Sequence, residues 1–149
     1  MSSPYVRTTI KTFLSINSSE DVVDMTSLFQ EIKELLADNG IQPDAPWLGL
    51  DFSGDDEIPI ALAATNDQGK YRETGSIYFH VVEVARLGVG DVMLTRGEAL
   101  RNLMRGRRIG DILIDSVTPM NFLSGATLQF ESGYMSGSFL VAYRRDLDL

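Results

Sequence analysis

The sequence predicts an α+β fold, a mainly antiparallel β-sheet with helices packed on one face, and three observations carry that prediction. Three stretches place apolar residues at helical spacing with a polar opposite side. Several runs rich in Ile, Val, Tyr and Phe have the composition of strands. From Leu94 to Leu149 an arginine-bearing helix runs into a strand, and then into two strands joined by a glycine turn.

Ser3-Pro4 is a helix-start signal, and Val6, Ile10, Phe13 and Leu14 share one face, which predicts a helix over about 4–16. Asp21 to Met25 reads either as a short strand or as the approach to the next helix. Ser27 with Gln30 fits a capping box, and Leu28, Phe29, Ile32, Leu35 and Leu36 supply an apolar stripe. Asn39-Gly40 ends that helix, and Pro43 and Pro46 prevent its resumption.

Trp47 to Phe52 reads as a strand, Ser53 to Gly75 as an irregular connection, and Gly75 to Ala85 as a central strand buried on both faces. A third helix is expected over about 91–105, with Val92, Ala99, Leu100, Leu103 and Met104 inward and Gly106 as its stop. Ile109 to Thr118 reads as a strand. Ala126 to Glu131 and Tyr134 to Arg144 read as an antiparallel hairpin turning at Ser132-Gly133. The helices at 27–39 and 91–105 are expected on one sheet face, with Phe29, Ile32, Leu36, Leu103, Phe130 and Phe139 in the core.

At 149 residues the chain suits one domain, residues 1–149, burying roughly 68–70% of its unfolded surface. Hydrophobic residues make up 44% and charged ones 23%, which excludes global disorder. No apolar run approaches the ~20 residues of a membrane span, and the first residues lack the apolar run of a signal peptide. With no cysteine there is neither disulfide nor thiolate chemistry. A net charge of −8 argues against non-specific DNA affinity.

Chemical signatures are sparse. His80, the only histidine, has no second ligand or nucleophile in a local motif, and reads as a hydrogen-bonded sheet histidine. Asp55, Asp56 and Glu57 lack the ligand alternation of a calcium loop and read as solvated surface; Glu31 and Glu34 are ordinary helix charges. GVG at 88–90 and the glycines around RRIG match neither a dinucleotide fingerprint nor a Walker loop. No catalytic, metal or cofactor-binding residue is therefore assigned, and no enzyme activity is expected.

Interface chemistry is better represented. Arg101, Arg105, Arg107 and Arg108 concentrate positive charge in an acidic chain, and suit acidic neighbours such as the 55–57 carboxylates or Asp146 and Asp148 of a second copy. The alternative is solvated surface charge. The stretch 53–75 carries Ile58-Pro59-Ile60 and Lys70-Tyr71-Arg72, an apolar tip flanked by charge, as a docking arm needs. Arg96 falls within an apolar helix stripe, so it either snorkels or meets a carboxylate, within the fold or across a subunit boundary.

Three segments, ATNDQGKYRETGSIYFHVVEVA, TRGEALRNLMRGRRIGDILIDSVTP and ATLQFESGYMSGSFLVAYRRDLDL, resemble the tail-terminator family of long-tailed, non-contractile phages. They cover most of the chain from Ala64 to Leu149, and none is a catalytic signature; the segment from Asp21 to Gly40 is longer and more helical than in many members. The resemblance implies a small α+β fold forming a six-membered homo-oligomeric ring on the head-proximal end of the tail tube. There it stops tube polymerisation and receives head-completion or connector proteins. It further implies no cofactor, a place in the virion neck after assembly in the host bacterial cytoplasm, and genome DNA passing through without specific binding. Two other readings stand beside it: another phage neck or tail-completion component, and a small enzyme or ligand-binding domain using His80 and the 55–57 carboxylates.

Overall fold

The first helix begins where the sequence signals it. In α1 (Pro4–Asn17) the Ser3 hydroxyl accepts from the Val6 N–H at 3.4 Å, and proline occupies the first turn. The Ser18 N–H closes the last turn on the Leu14 carbonyl. The computed structural model describes residues 3–25, 32–42, 45–62, 69–122 and 134–148. Its other elements are β1 (Val22–Asp24), α2 (Ile32–Asp38), β2 (Trp47–Leu62), β3 (Gly69–Val84), α3 (Val89–Met104), β4 (Arg108–Ile109), β5 (Ile112–Val117) and β6 (Tyr134–Asp148).

One six-stranded sheet holds them together, in the order β1-β2-β3-β6-β5-β4. Every pairing is antiparallel except that of β1 with β2, where Val23 lies opposite Gly49. The open choice at Asp21–Met25 is thus settled as a strand. The fold is α+β, as the sequence predicts.

Alternation along the strands sorts residues to two faces. Leu48, Leu50 and Phe52 of β2 lie opposite Val81, Phe79 and Ile77 of β3, and Phe139 and Val141 of β6 continue the row. Phe79 and Phe139 stack with centroids 4.8 Å apart. Val6, Ile10 and Leu14 of α1, with Leu100 and Met104 of α3, close over this face. The other face carries Trp47 and Val82, which pack with Val23, Met25, Leu35, Leu36 and Ile41. Gly49 leaves room there for the Met25 sulfur.

Three expectations are corrected. The helix expected at 27–39 to share a face with α3 supplies α2, which packs on the opposite face; α1 takes the place beside α3. Its C-terminus ends as expected, with Gly40 at φ 70° and the Ile41 N–H reaching the Leu36 carbonyl at 2.9 Å. The stretch 53–75, expected to be irregular, is mostly strand: β2 and β3 are 16 residues each and stay paired out to Leu62 opposite Gly69. Register shifts at Gly54/Asp56 and Pro59/Ala61 hide its alternation. The strand expected at 109–118 is two, turned at Gly110 with φ 60°. Leu36 and Phe139 are core and Leu103 packs against it, as expected, while Phe29, Phe130, the 126–131 strand and the side chain of Ile32 lie outside the described part.

Candidate functional site

β5 ends opposite Arg145, level with Glu73, and beyond that level the sheet narrows to an arm of three strand ends: β2 and β3 paired out to Leu62 opposite Gly69, and β6 following β3 as far as Lys70 opposite Asp148. At ~3.3 Å per residue each long strand spans roughly 50 Å, further than α1 and α3 cover. The arm is rooted by a buried acid. Glu73, 7% exposed, accepts from the Ser3 N–H at 3.1 Å, the Ser3 hydroxyl at 3.2 Å and the Tyr143 hydroxyl at 3.5 Å. Arg145 approaches the same carboxylate at 3.7 Å, and its guanidinium lies 3.9 Å from the centroid of the Tyr5 ring. Gly75 is required here because the Tyr143 hydroxyl occupies the space a side chain would take. The start of α1 therefore fixes the direction in which the arm leaves the body.

The other side of the arm is charged and open. Arg72 binds Asp146 through two contacts, 2.8 and 3.3 Å, and Arg144 meets Asp115 at 3.3 Å. Arg108, Asp111 and Leu113 complete a cleft of about 140 Å³. The Arg72 hydrogen bond, reinforced by the charges of Arg72, Arg144 and Arg108, holds the Asp146 carboxyl below the usual range. Three arginines here are thus interleaved with three aspartates.

The predicted interface residues separate into groups. Asp55, Asp56, Glu57, Ile58 and Ile60 lie on β2 and Lys70 on β3, in the arm, with side chains outside the described part. Tyr71 and Arg72 are half-buried on β3. The four arginines do not form one patch. Arg101 is 9% exposed and donates to the Thr118 carbonyl at 2.7 Å and to Glu98 at 2.6 Å, so it serves the fold and is withdrawn from the surface. Arg105 bonds Asn102, and Arg107 bonds the Leu103 carbonyl at 2.8 Å beside the Phe13 ring. Asp146, expected to meet arginines of a second copy, is already held by Arg72 of its own chain.

Arg96 pairs within the fold. Its Nε donates to Glu20 at 3.0 Å and its Nη1 to Glu83 at 3.1 Å and the Val82 carbonyl at 2.9 Å, while Nη2 bonds Glu20 and the Trp47 carbonyl. This ties the turn after α1 to the ends of β2 and β3, and stands Arg96 between both clusters of the core.

His80 is 1% exposed, with Nδ1 2.7 Å from the hydroxyl of Ser138, itself 2% exposed. Burial pushes its pKa down to about 4, so the ring is neutral near pH 7. A groove of about 370 Å³ lies alongside, lined by Tyr78, Ser138, Leu140 and residues 118–121. A histidine this reluctant to protonate is a poor base for a serine proton at neutral pH, so the pair reads as a hydrogen-bonded core contact. Among the described residues no three His, Asp or Glu side chains converge to hold a metal ion, and no helix is long and apolar enough to cross a membrane.

Sequence reasoning missed Glu73, Arg145 and the Arg7–Asp24 pair, 2.8 Å apart, which joins α1 to β1. A signal for Glu73 existed: it sits in step with Gly75, Ile77 and Phe79, on the face that α1 covers. Comparison with known proteins matched the chain to no family model and to no curated relative.

Proposed function

We propose that this chain is a structural ring protein that caps the tail tube of a long-tailed phage, halting tube polymerisation and receiving head-completion proteins. The observation that supports it best is the arm, the antiparallel extension of β2 and β3 beyond Glu73, which braces its root against the start of α1. Extended strands present backbone and side chains over a distance no globular flank offers, which suits contact with a neighbouring subunit or with the tube rim. The α+β architecture agrees with the resemblance carried by Ala64 to Leu149. The net charge of −8 fits a ring through which DNA slides without being held, because cationic walls would retain phosphates.

The test is assembly. Size-exclusion chromatography with light scattering should give a closed oligomer, six copies on the family pattern. Added to polymerising tube protein, the chain should yield capped tubes of restricted length. A chain that stays monomeric and leaves tube growth unchanged excludes the reading.

A further inference from the structure

Leu87 stands at the tip of the turn before α3, with its side chain fully exposed (103%) beside exposed Arg86, and Gly88 at φ 79° fixes the turn. Further along α3 itself, a groove of about 410 Å³ runs between that helix and the end of α1. Ala99, Leu100 and Leu103 supply its apolar lining, Asn17, Ser18 and Thr95 its polar edge, the mutually paired Arg96 and Glu20 also border it, and Ile16, 75% exposed, precedes that edge. Asp21, exposed, follows it. Neither Arg86 nor Asp21 has an ion-pair partner among the described residues.

We propose that Leu87 of one copy seats in the α1–α3 groove of a second copy, with Arg86 meeting Asp21 at the rim. A leucine in this groove exchanges exposed apolar surface for burial on both partners, and the opposite charges set its register. The contact cannot close within one chain. Leu87 precedes α3, and Ala99 lies three turns along it, roughly 18 Å away by the helical rise. Knob and groove are different surfaces, so the contact is head-to-tail, and repeated copies close into a ring when the rotation divides the circle. The inference rests on the ring reading and specifies one of its contacts.

Complementation tests it. Leu87→Asp removes the knob and keeps the groove; Ala99→Arg fills the groove from an exposed helix position and keeps the knob. Both should retain the wild-type circular dichroism and melting temperature. Each alone should weaken self-association at least tenfold by light scattering and native mass spectrometry. Mixed in equal amounts, they should form a dimer of one copy each and stop there, because the remaining knob and groove are both disabled. Wild-type oligomerisation by either folded variant, or a mixture that stays monomeric, overturns this contact while leaving the ring reading in place. A wild-type chain that is monomeric at every concentration overturns both.

Discussion

The two faces of the sheet are built on different principles. On one, Leu50, Phe52, Ile77, Phe79 and Val141 are sealed beneath α1 and α3. On the other, α2 covers the end near Trp47 and Val82, and half-buried Tyr78, Thr74, Arg72 and Leu140 follow toward the arm. Neighbouring residues of one strand thus serve unlike purposes: Phe79 packs against Phe139, while Tyr78 lines the groove beside Ser138. Apolar burial fixes the body on the first face. The second keeps polar and paired charged groups available for contact, and on it even arginines are neutralised by aspartates in the same chain.

The sharpest break of this comparison is a pair of truncations one residue apart. Phe79→Ala should cost ~3–5 kcal/mol in denaturant melts, because it empties a closed part of the core. Tyr78→Ala should cost less than ~1 kcal/mol. Equal losses would mean that both faces carry the same packing load.

Next comes Arg96. Removing it strands Glu20 and Glu83, whose side chains are 13% and 5% exposed, so Arg96→Ala should cost about 3 kcal/mol. Replacing Arg96 and Glu83 together with Met and Gln should recover part of that loss. A double variant no better than Arg96→Ala would remove the ion pairs from the explanation.

His80 sharpens the comparison through pH. Its folded pKa of about 4 lies below the ordinary 6.5, so an unfolded chain takes up a proton that the folded one refuses between those values. The contribution is intact above pH 6.5 and is lost as pH falls toward 4, amounting to about 3 kcal/mol over the whole window. His80→Gln should therefore flatten the acid side of the stability profile relative to wild type, and should leave assembly at pH 7 unchanged. Parallel profiles for the two proteins would contradict the buried neutral ring.

The smallest effect is expected in the arm. Arg72→Gln should leave the melting temperature unchanged, since its pair with Asp146 is solvent-exposed and screened. A drop of several degrees would make the pair part of the folding core.

What the sequence revealed follows the same division. α1 was readable because Ser3-Pro4 and the spacing of Val6, Ile10 and Leu14 agree, and α3 was placed by its apolar stripe, although Ala99, expected inward, is exposed and Met93 is buried in its stead. The arm was not. Register shifts at Gly54/Asp56 and Pro59/Ala61 break the two-residue alternation along Ser53–Leu62 that would have marked it as strand. The wheel position of Arg96 signalled a partner without naming Glu20, 76 residues away in sequence. Glu73 was hidden for a related reason: its ligands, Ser3 and Tyr143, come from opposite ends of the chain. The arginines at 101 and 108 looked like one patch in sequence, and the end of α3 turned them to different surroundings.

The proposal that this chain caps a tube through its arm can be checked by electron microscopy of tubes grown with and without it. Wild-type chain added to polymerising tube protein should give short tubes with a narrow length distribution and a ring at one end. A folded variant lacking residues 55–67 should give tubes as long and uncapped as those grown with tube protein alone. Tubes of restricted, uniform length with the deletion variant would contradict the role assigned to the arm, and unrestricted growth with the wild-type chain would contradict the capping function itself.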